Sequence, residues 1–340
     1  MKQITLYAAP IGVAVMLSFA AMLSVAAQQA PALPAFRAPA RSPAGHDLSW
    51  AFHETNGVMP REAATTSQTV PGSVKTYTRA QIDDMYNAVD WFPDEHPPPP
   101  EIVLKGHGTA HACGVCHLMS GFGHPESADV TGLPVEYFRR TMREFKNGSR
   151  VEPNHMNEIA KDLSEEEINQ TADWYGRLKP ARWTIVKETG TVPQTWVPRG
   201  RMRFVRPEGG AEPLGTRIIV LSQDPDGFVK RDPHVGFIAY VPVGSIEKGA
   251  ILANTGGDGK TVVCSGCHGE ALKGLGSVPR LAGLHPAYIA RQLYLFQDGR
   301  RHGADAGLMK RQDLPSSSGR TCRCCRRIRR RPTCSSGCRS

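Results

Sequence analysis

Cys113-Gly114-Val115-Cys116-His117 and Cys264-Ser265-Gly266-Cys267-His268 are the two stretches that decide how this chain is built. They lie 151 residues apart. At the same offset Gly123 matches Gly274, Gly132 matches Gly283, and Leu133 matches Leu284. Tyr137 matches Tyr288, Phe145 matches Phe296, Gly148 matches Gly299 and Arg150 matches Arg301, with no gap. Two chance motifs do not share their downstream surroundings, so the chain holds two copies of one module. Each copy has a stretch, near 134–147 and 286–298, with apolar residues three and four apart. That spacing predicts a helix ending near Gly148 or Gly299.

The chemistry follows from the motif. On a helical turn, positions i, i+3 and i+4 share one face. Cys-x-x-Cys-His is the attachment sequence for c-type haem. Two thiols add to the two vinyl groups of one porphyrin, and the next imidazole is held under the iron. The candidate cofactor-binding residues are therefore Cys113, Cys116 and His117, and Cys264, Cys267 and His268. Structural zinc and a redox dithiol are the rivals. Zinc usually takes four protein ligands, and each copy offers two Cys and one adjacent His. A thioredoxin-like dithiol needs a βαβ setting, which the sequence lacks.

An electron carrier needs a second strong axial ligand, and Met raises the potential relative to His. Met156 lies 39 residues after His117, and Met309 lies 41 after His268. Both follow the shared helix, so both are assigned as axial metal ligands opposite His117 and His268. A single Met would instead be read as a gap-filler in a core. His155 competes with its neighbour Met156. His107, His111, His124, His285 and His302 read as surface or hydrogen-bonded groups. Packing is the expectation for Tyr137 and Tyr288, with a haem propionate as the rival partner. Arg150 and Arg301 read equally as propionate counter-charges or as solvated side chains.

These residues resemble the cytochrome c family, in its diheme bacterial form with two fused class-I-like domains. The resemblance covers roughly 100–180 and 243–310. It implies a mainly α fold, with two cytochrome c-like helical haem domains and two covalently bound haem c groups. In that family a final helix follows the axial Met. Module one matches it with Leu163-Ser164-Glu165-Glu166-Glu167-Ile168 and then Ala172-Asp173-Trp174-Tyr175. Module two departs from the pattern completely.

The rest of the chain is organised around these copies. Residues 1–27 carry one charge, Lys2, and end in small residues, Val25-Ala26-Ala27. They read as a signal peptide or, with about 20 apolar residues, an N-terminal anchor. Either reading places the body in the periplasm. Residues 28–77 are a Pro/Ala-rich extension expected on the surface or partly disordered. Haem domain 1 spans 78–180, opening on Thr78 as a helix N-cap. Residues 181–241 are a small β-rich irregular connector, on the strength of Arg217–Leu221 and Gly236–Val241. Haem domain 2 spans 242–310.

Residues 311–340 form an aberrant Arg/Cys/Ser tail with nine Arg, one acid and five of the nine Cys. The tail contributes +8 of the formal net charge of +9, and the body from 28 to 310 sums to zero. The basic balance therefore argues for no nucleic-acid partner. The tail reads as out of frame. Shifted by one base, Cys codon TGC and Arg codon CGC become Ala codons. Ile328 as ATA followed by Arg329 as CGC yields Tyr. That Tyr falls 19 residues after Met309, as Tyr175 falls 19 after Met156. A basic interaction tail and a Cys-rich metal tail are the rivals.

The expected function is an exported diheme electron carrier rather than an enzyme. Its partners are redox proteins, with a dehydrogenase as donor and an oxidase or another cytochrome as acceptor. Membrane association is expected only through the N-terminal segment. A diheme cytochrome c peroxidase and a cytochrome subunit of a dehydrogenase are the alternatives. A peroxidase needs one haem with a displaceable ligand, which two axial Met residues oppose.

Overall fold

The computed structural model describes residues 47–310 apart from positions 53, 153, 182, 183 and 200. The expected export signal, residues 28–46 of the extension and the tail at 311–340 lie outside the described residues, and so does the frame argument. Among the described residues no helix is long and apolar enough to cross a membrane.

Module one is built from helices Cys113–His117, Val135–Asn147, Met156–Asp162 and Glu165–Arg177. Two of these boundaries have a clear local cause. Gly148 closes the second helix in the left-handed region at φ 78°, a backbone state that glycine reaches without strain. Ser164 opens the last helix with a capping box to Glu167. The expected N-cap at Thr78 is present, with a capping box to Gln81. Phe138, Met142 and Phe145 on one helix pack with Ile168, Ala172, Trp174 and Tyr175 on the last. Burying each large apolar side chain contributes roughly 1.5–3 kcal/mol, so the last helix supplies a large share of this core.

Module two is built from helices Ser245–Thr255, Ser265–His268, Pro286–Gln297 and Ala306–Lys310. Between the modules the chain is strand-bearing. Thr184–Glu188 runs parallel to Phe237–Val241, which pairs antiparallel with Ile219–Ser222. Two short hairpins precede it in sequence, Thr191–Pro193 with Ala211–Pro213 and Thr195–Arg199 with Met202–Val205. Phe237, Ala239 and Val241 alternate inward, the period expected of a half-buried strand.

The core of this strand-bearing stretch is shared. It takes in Ala287 and Leu295 from the long helix of module two, and Leu48, Trp50, Ala51 and Phe52 from the extension. Residues 48–52 of the extension are thus not a surface segment, since Leu48, Trp50, Ala51 and Phe52 fill the connector core; most of 54–76 is exposed, and Ser67–Gln68 pairs with Tyr77–Thr78. Weak periodicity hid it, because only a four-residue cluster carries the apolar surface.

The two modules face each other about a local twofold. Arg150 and Arg301, matched by the repeat, pair with one another as an antiparallel bridge. The Val151 amide donates to the Arg300 carbonyl at 2.8 Å, and the His302 amide donates to the Ser149 carbonyl at 2.8 Å. Each bond is the repeat image of the other.

Candidate functional site

Both attachment motifs lie on single helical turns, with Cys264 itself in helical conformation just ahead of Ser265–His268. All four thiols are free of disulfides. The two imidazoles are held alike. His117 Nδ1 lies 2.8 Å from the Ala128 carbonyl, and His268 Nδ1 lies 2.7 Å from the Pro279 carbonyl. The acceptor stands 11 residues downstream in both copies. A carbonyl can only accept, so Nδ1 carries the proton and Nε2 keeps its lone pair for a metal.

The turn that supplies this carbonyl also repeats. The Gly123 amide donates to the His117 carbonyl and the Gly274 amide to the His268 carbonyl, at 2.9 and 2.7 Å. Leu118 and its match Gly269 both take positive φ, 60° and 76°. The same backbone therefore demands a strained leucine in one copy where glycine serves in the other.

The donor set fits a covalently attached haem. No group of three His, Cys, Asp or Glu able to hold a metal ion is found among the described residues. Within each motif the two thiols and the imidazole therefore do not form a ready-made cage, which is what structural zinc requires. The buried Tyr175 hydroxyl has no protein hydrogen-bond partner, and burial pushes its phenol well up. Burial pushes the Cys113 thiol up to about 12 and raises Cys116 as well. Both thiols are thus held in the neutral form.

The expected axial residues occupy different settings. Met156 starts the helix Met156–Asp162 and packs partly against the module-one core. Its neighbour Asn157 is buried and pins the segment. The Asn157 amide donates to the carbonyls of Phe145 and Arg150 at 2.9 and 2.7 Å, and its Oδ1 accepts from the Glu152 amide at 2.9 Å. His155 is exposed, its ring 5.5 Å from that of His111. Met309 is half-buried in Ala306–Lys310, and no Asn follows it.

Tyr137, Tyr288, Arg150 and Arg301 come together where the modules meet. Arg301 donates to the Tyr137 hydroxyl at 2.8 Å, and Arg150 donates to the Tyr288 hydroxyl at 3.3 Å. Arg150 lies over the Phe145 ring and Arg301 over the Phe296 ring, at 4.5 and 4.2 Å. Neither guanidinium is solvated: Arg150 is 3% and Arg301 9% exposed. Both also donate to Gln292 Oε1, and Arg150 pairs with Glu152 at 2.9 Å. Burial raises the Tyr137 phenol, but Arg301 and Arg150 outweigh it and bring it down to about 8.

Three residues escaped sequence reasoning. Arg231 donates to the Val115 carbonyl inside the first attachment helix at 2.7 Å. Asp129 and Arg280 form a buried ion pair between the modules at 2.6 Å. The repeat alone held a signal for the last two, since 129 and 280 also stand 151 residues apart.

The copies differ in cover. Cys113, Cys116 and Cys264 are all half-buried, Cys113 packing against the module-one core, whereas Cys267 is exposed. Met142 is 6% exposed, while Leu293, its match in module two, is 44% exposed. Met142 lies in the core that the final helix Glu165–Arg177 completes.

No family model matches the chain. A thiosulfate dehydrogenase electron acceptor from Thiomonas intermedia (strain K12) is 26% identical over 215 residues, 62% of this chain and 75% of that protein. Among solved structures, cytochrome c4 from Acidithiobacillus ferrooxidans overlaps 59% of this chain and 90% of its own, at 21% identity and TM-score 0.38. Thiosulfate dehydrogenase from Marichromatium purpuratum overlaps 60% of this chain and 33% of its own, at 25% identity and TM-score 0.38. Cytochrome c4 from Pseudomonas stutzeri overlaps 58% and 82%, at 20% identity and TM-score 0.35.

Proposed function

We propose that this chain is a diheme c-type cytochrome that carries single electrons between redox partners outside the cytoplasm. One observation carries the reading: the same imidazole-to-carbonyl hydrogen bond recurs in both copies, 11 residues from each motif histidine. It fixes the tautomer that a metal ligand needs, twice, at the repeat offset. When bound, the haems supply one-electron chemistry, the iron alternating between ferrous and ferric states. The protein supplies the tethers, the orientation and the exclusion of water. Cys113 and Cys116 tether the first haem and Cys264 and Cys267 the second. His117 and Met156 would hold the first iron, and His268 and Met309 the second.

The donor is a dehydrogenase. The relative from Thiomonas intermedia is named as the electron acceptor of thiosulfate dehydrogenase, which makes that enzyme the first donor to try. The exported location rests on residues 1–27 and on the covalent haem. The domain limits 78–180, 181–241 and 242–310 are retained as a working division.

Mass spectrometry of the matured protein tests the reading, with two porphyrins expected per chain. A colourless product, or one of unmodified mass, would refute it. The oxidised spectrum should show the weak red-edge band of a Met–iron bond, lost in stages in Met156→Ala and Met309→Ala. Fast turnover of peroxide by the reduced protein would favour the peroxidase alternative instead.

A further inference from the structure

Position 129 and position 280 are repeat images, yet one is Asp and the other Arg. A local twofold brings such images together, and two identical residues there would place like charges in contact. Here Arg280 Nη2 meets Asp129 Oδ2 at 2.6 Å, with side chains 7% and 1% exposed. The remaining bonds of the guanidinium are specific as well. Nε donates to the Thr131 carbonyl at 3.2 Å, Nη2 to Thr131 Oγ1 at 2.8 Å, and Nη1 to the Ala282 carbonyl at 2.7 Å. Asp129 Oδ1 accepts from the Thr131 amide and hydroxyl at 2.9 and 2.6 Å.

The sequence neighbours of the pair give it meaning. Asp129 directly follows Ala128, whose carbonyl holds His117. Arg280 directly follows Pro279, whose carbonyl holds His268. One continuous chain of bonds therefore runs from one proximal imidazole to the other. It passes through the Ala128 carbonyl, Asp129, Arg280 and the Pro279 carbonyl.

We propose that Asp129 and Arg280 are positioning residues that join the two proximal histidines and set the haem potentials of the two modules against each other. The inference rests on the two-haem reading above. The pair is neutral only while both charges are present. Its guanidinium reaches into module one, so the haem on His117 feels an imbalance first. A buried anion left alone favours the ferric state, and a buried cation left alone favours the ferrous state. The low dielectric of the junction keeps either effect from being screened.

Optical redox titration of the two-haem protein tests this, after the porphyrin content of each variant has been checked by mass. Asp129→Asn is expected to raise the potential of the module-one haem and Arg280→Gln to lower it, with a smaller change at the other haem. Arg280→Lys keeps the charge but loses part of the fork, and should return the potential most of the way to wild type. Thermal unfolding is followed alongside, because a purely structural pair would lower the melting temperature in both variants and leave the potentials alone. That outcome, or shifts of the same sign, overturns the proposal. If Arg280→Gln does not fold, the near-isosteric Asp129→Asn decides by itself: an unchanged potential overturns the proposal. A wild-type protein with fewer than two porphyrins would overturn the two-haem reading, and the inference with it.

Discussion

Gly114 shows how closely the first attachment turn is packed. A Cβ there would lie 2.7 Å from Met119 Sδ and 2.9 Å from the Val103 carbonyl, inside any tolerable contact. At Gly266, within the second motif, a Cβ would meet nothing within 4 Å. Gly114→Ala should therefore destabilise by about 1–3 kcal/mol through overpacking, while Gly266→Ala should stay within roughly 0.5 kcal/mol of wild type. Urea unfolding of the two variants compares them directly. His285 contributes to the pH dependence at this scale, beside His124, which burial pushes down to about 4. The His285 ring is 1% exposed, bonds Thr184 Oγ1 at 3.0 Å and packs edge-on to Phe237. Burial pushes its imidazole down to about 3 from an ordinary 6.5. Between those values only the unfolded chain takes up the proton, so stability falls as pH falls, by up to roughly 1.4 kcal/mol per unit. Melting temperatures between pH 6 and 4 should drop less steeply in His285→Gln than in wild type. An equal slope would assign the acid sensitivity elsewhere.

At the scale of elements, the final helix of module one separates the two copies. Glu165–Arg177 contributes Ile168 and Ala172, both 0% exposed, together with Trp174 and Tyr175. Met142 lies in the core so formed, and its match Leu293 stands 44% exposed. The paired truncations should differ accordingly. Met142→Ala is expected to cost about 2–5 kcal/mol as a cavity in a closed core, and Leu293→Ala less than roughly 0.5 kcal/mol. Equal losses in urea unfolding would mean that module two is covered in solution by something that buries Leu293. The helices themselves were legible in sequence. The glycine at 148 is a local signal that the repeat doubles at 299, whereas the capping chemistry at Ser164 has no counterpart in module two, where position 315 is Pro. The connector was legible only in part. Ile219–Ser222 and Phe237–Val241 announce themselves by β-branched and aromatic runs, whereas Thr191–Pro193 and Ala211–Pro213 are three residues each and contain Pro. Such short edge strands form because a partner is nearby, which no local pattern encodes. The candidate site divides in the same way. Its six attachment residues are contiguous in sequence and readable. Arg231, Asp129 and Arg280 act across more than a hundred residues and became visible only in the fold.

Across the whole molecule, the twofold junction has to hold the buried guanidiniums of Arg150 and Arg301 as well as that of Arg280. Arg150 and Arg301 share Gln292 Oε1, and Glu152 is the carboxylate paired with Arg150 there. Glu152 also accepts from Gln292 Nε2 at 2.9 Å, and through its amide it is tied to Asn157, the residue after Met156. The carboxylate thus connects the charge balance of the junction to the segment that presents Met156. Taking charges out of water is costly, and the pair recovers that cost only while both members are present. Glu152→Gln leaves two cations with no carboxylate beside Arg150, and should lower the unfolding free energy by about 3–5 kcal/mol. Removing one cation together with the anion, in Arg150→Met with Glu152→Gln, should be less harmful than Glu152→Gln alone, although it deletes more hydrogen bonds. That inverted order is the signature of an unpaired buried charge rather than of lost contacts. Urea titration of the single and double variants reads it, and a double variant worse than the single would show that the junction is held by its bond count. The same ordering bears on how the two modules stay in register. Val151 and His302 supply a symmetric pair of backbone bonds, which any two copies of the module could form. The unsymmetric features, Glu152 beside Arg150 and Asp129 opposite Arg280, are what make this junction fit one unlike pair of modules rather than two like ones.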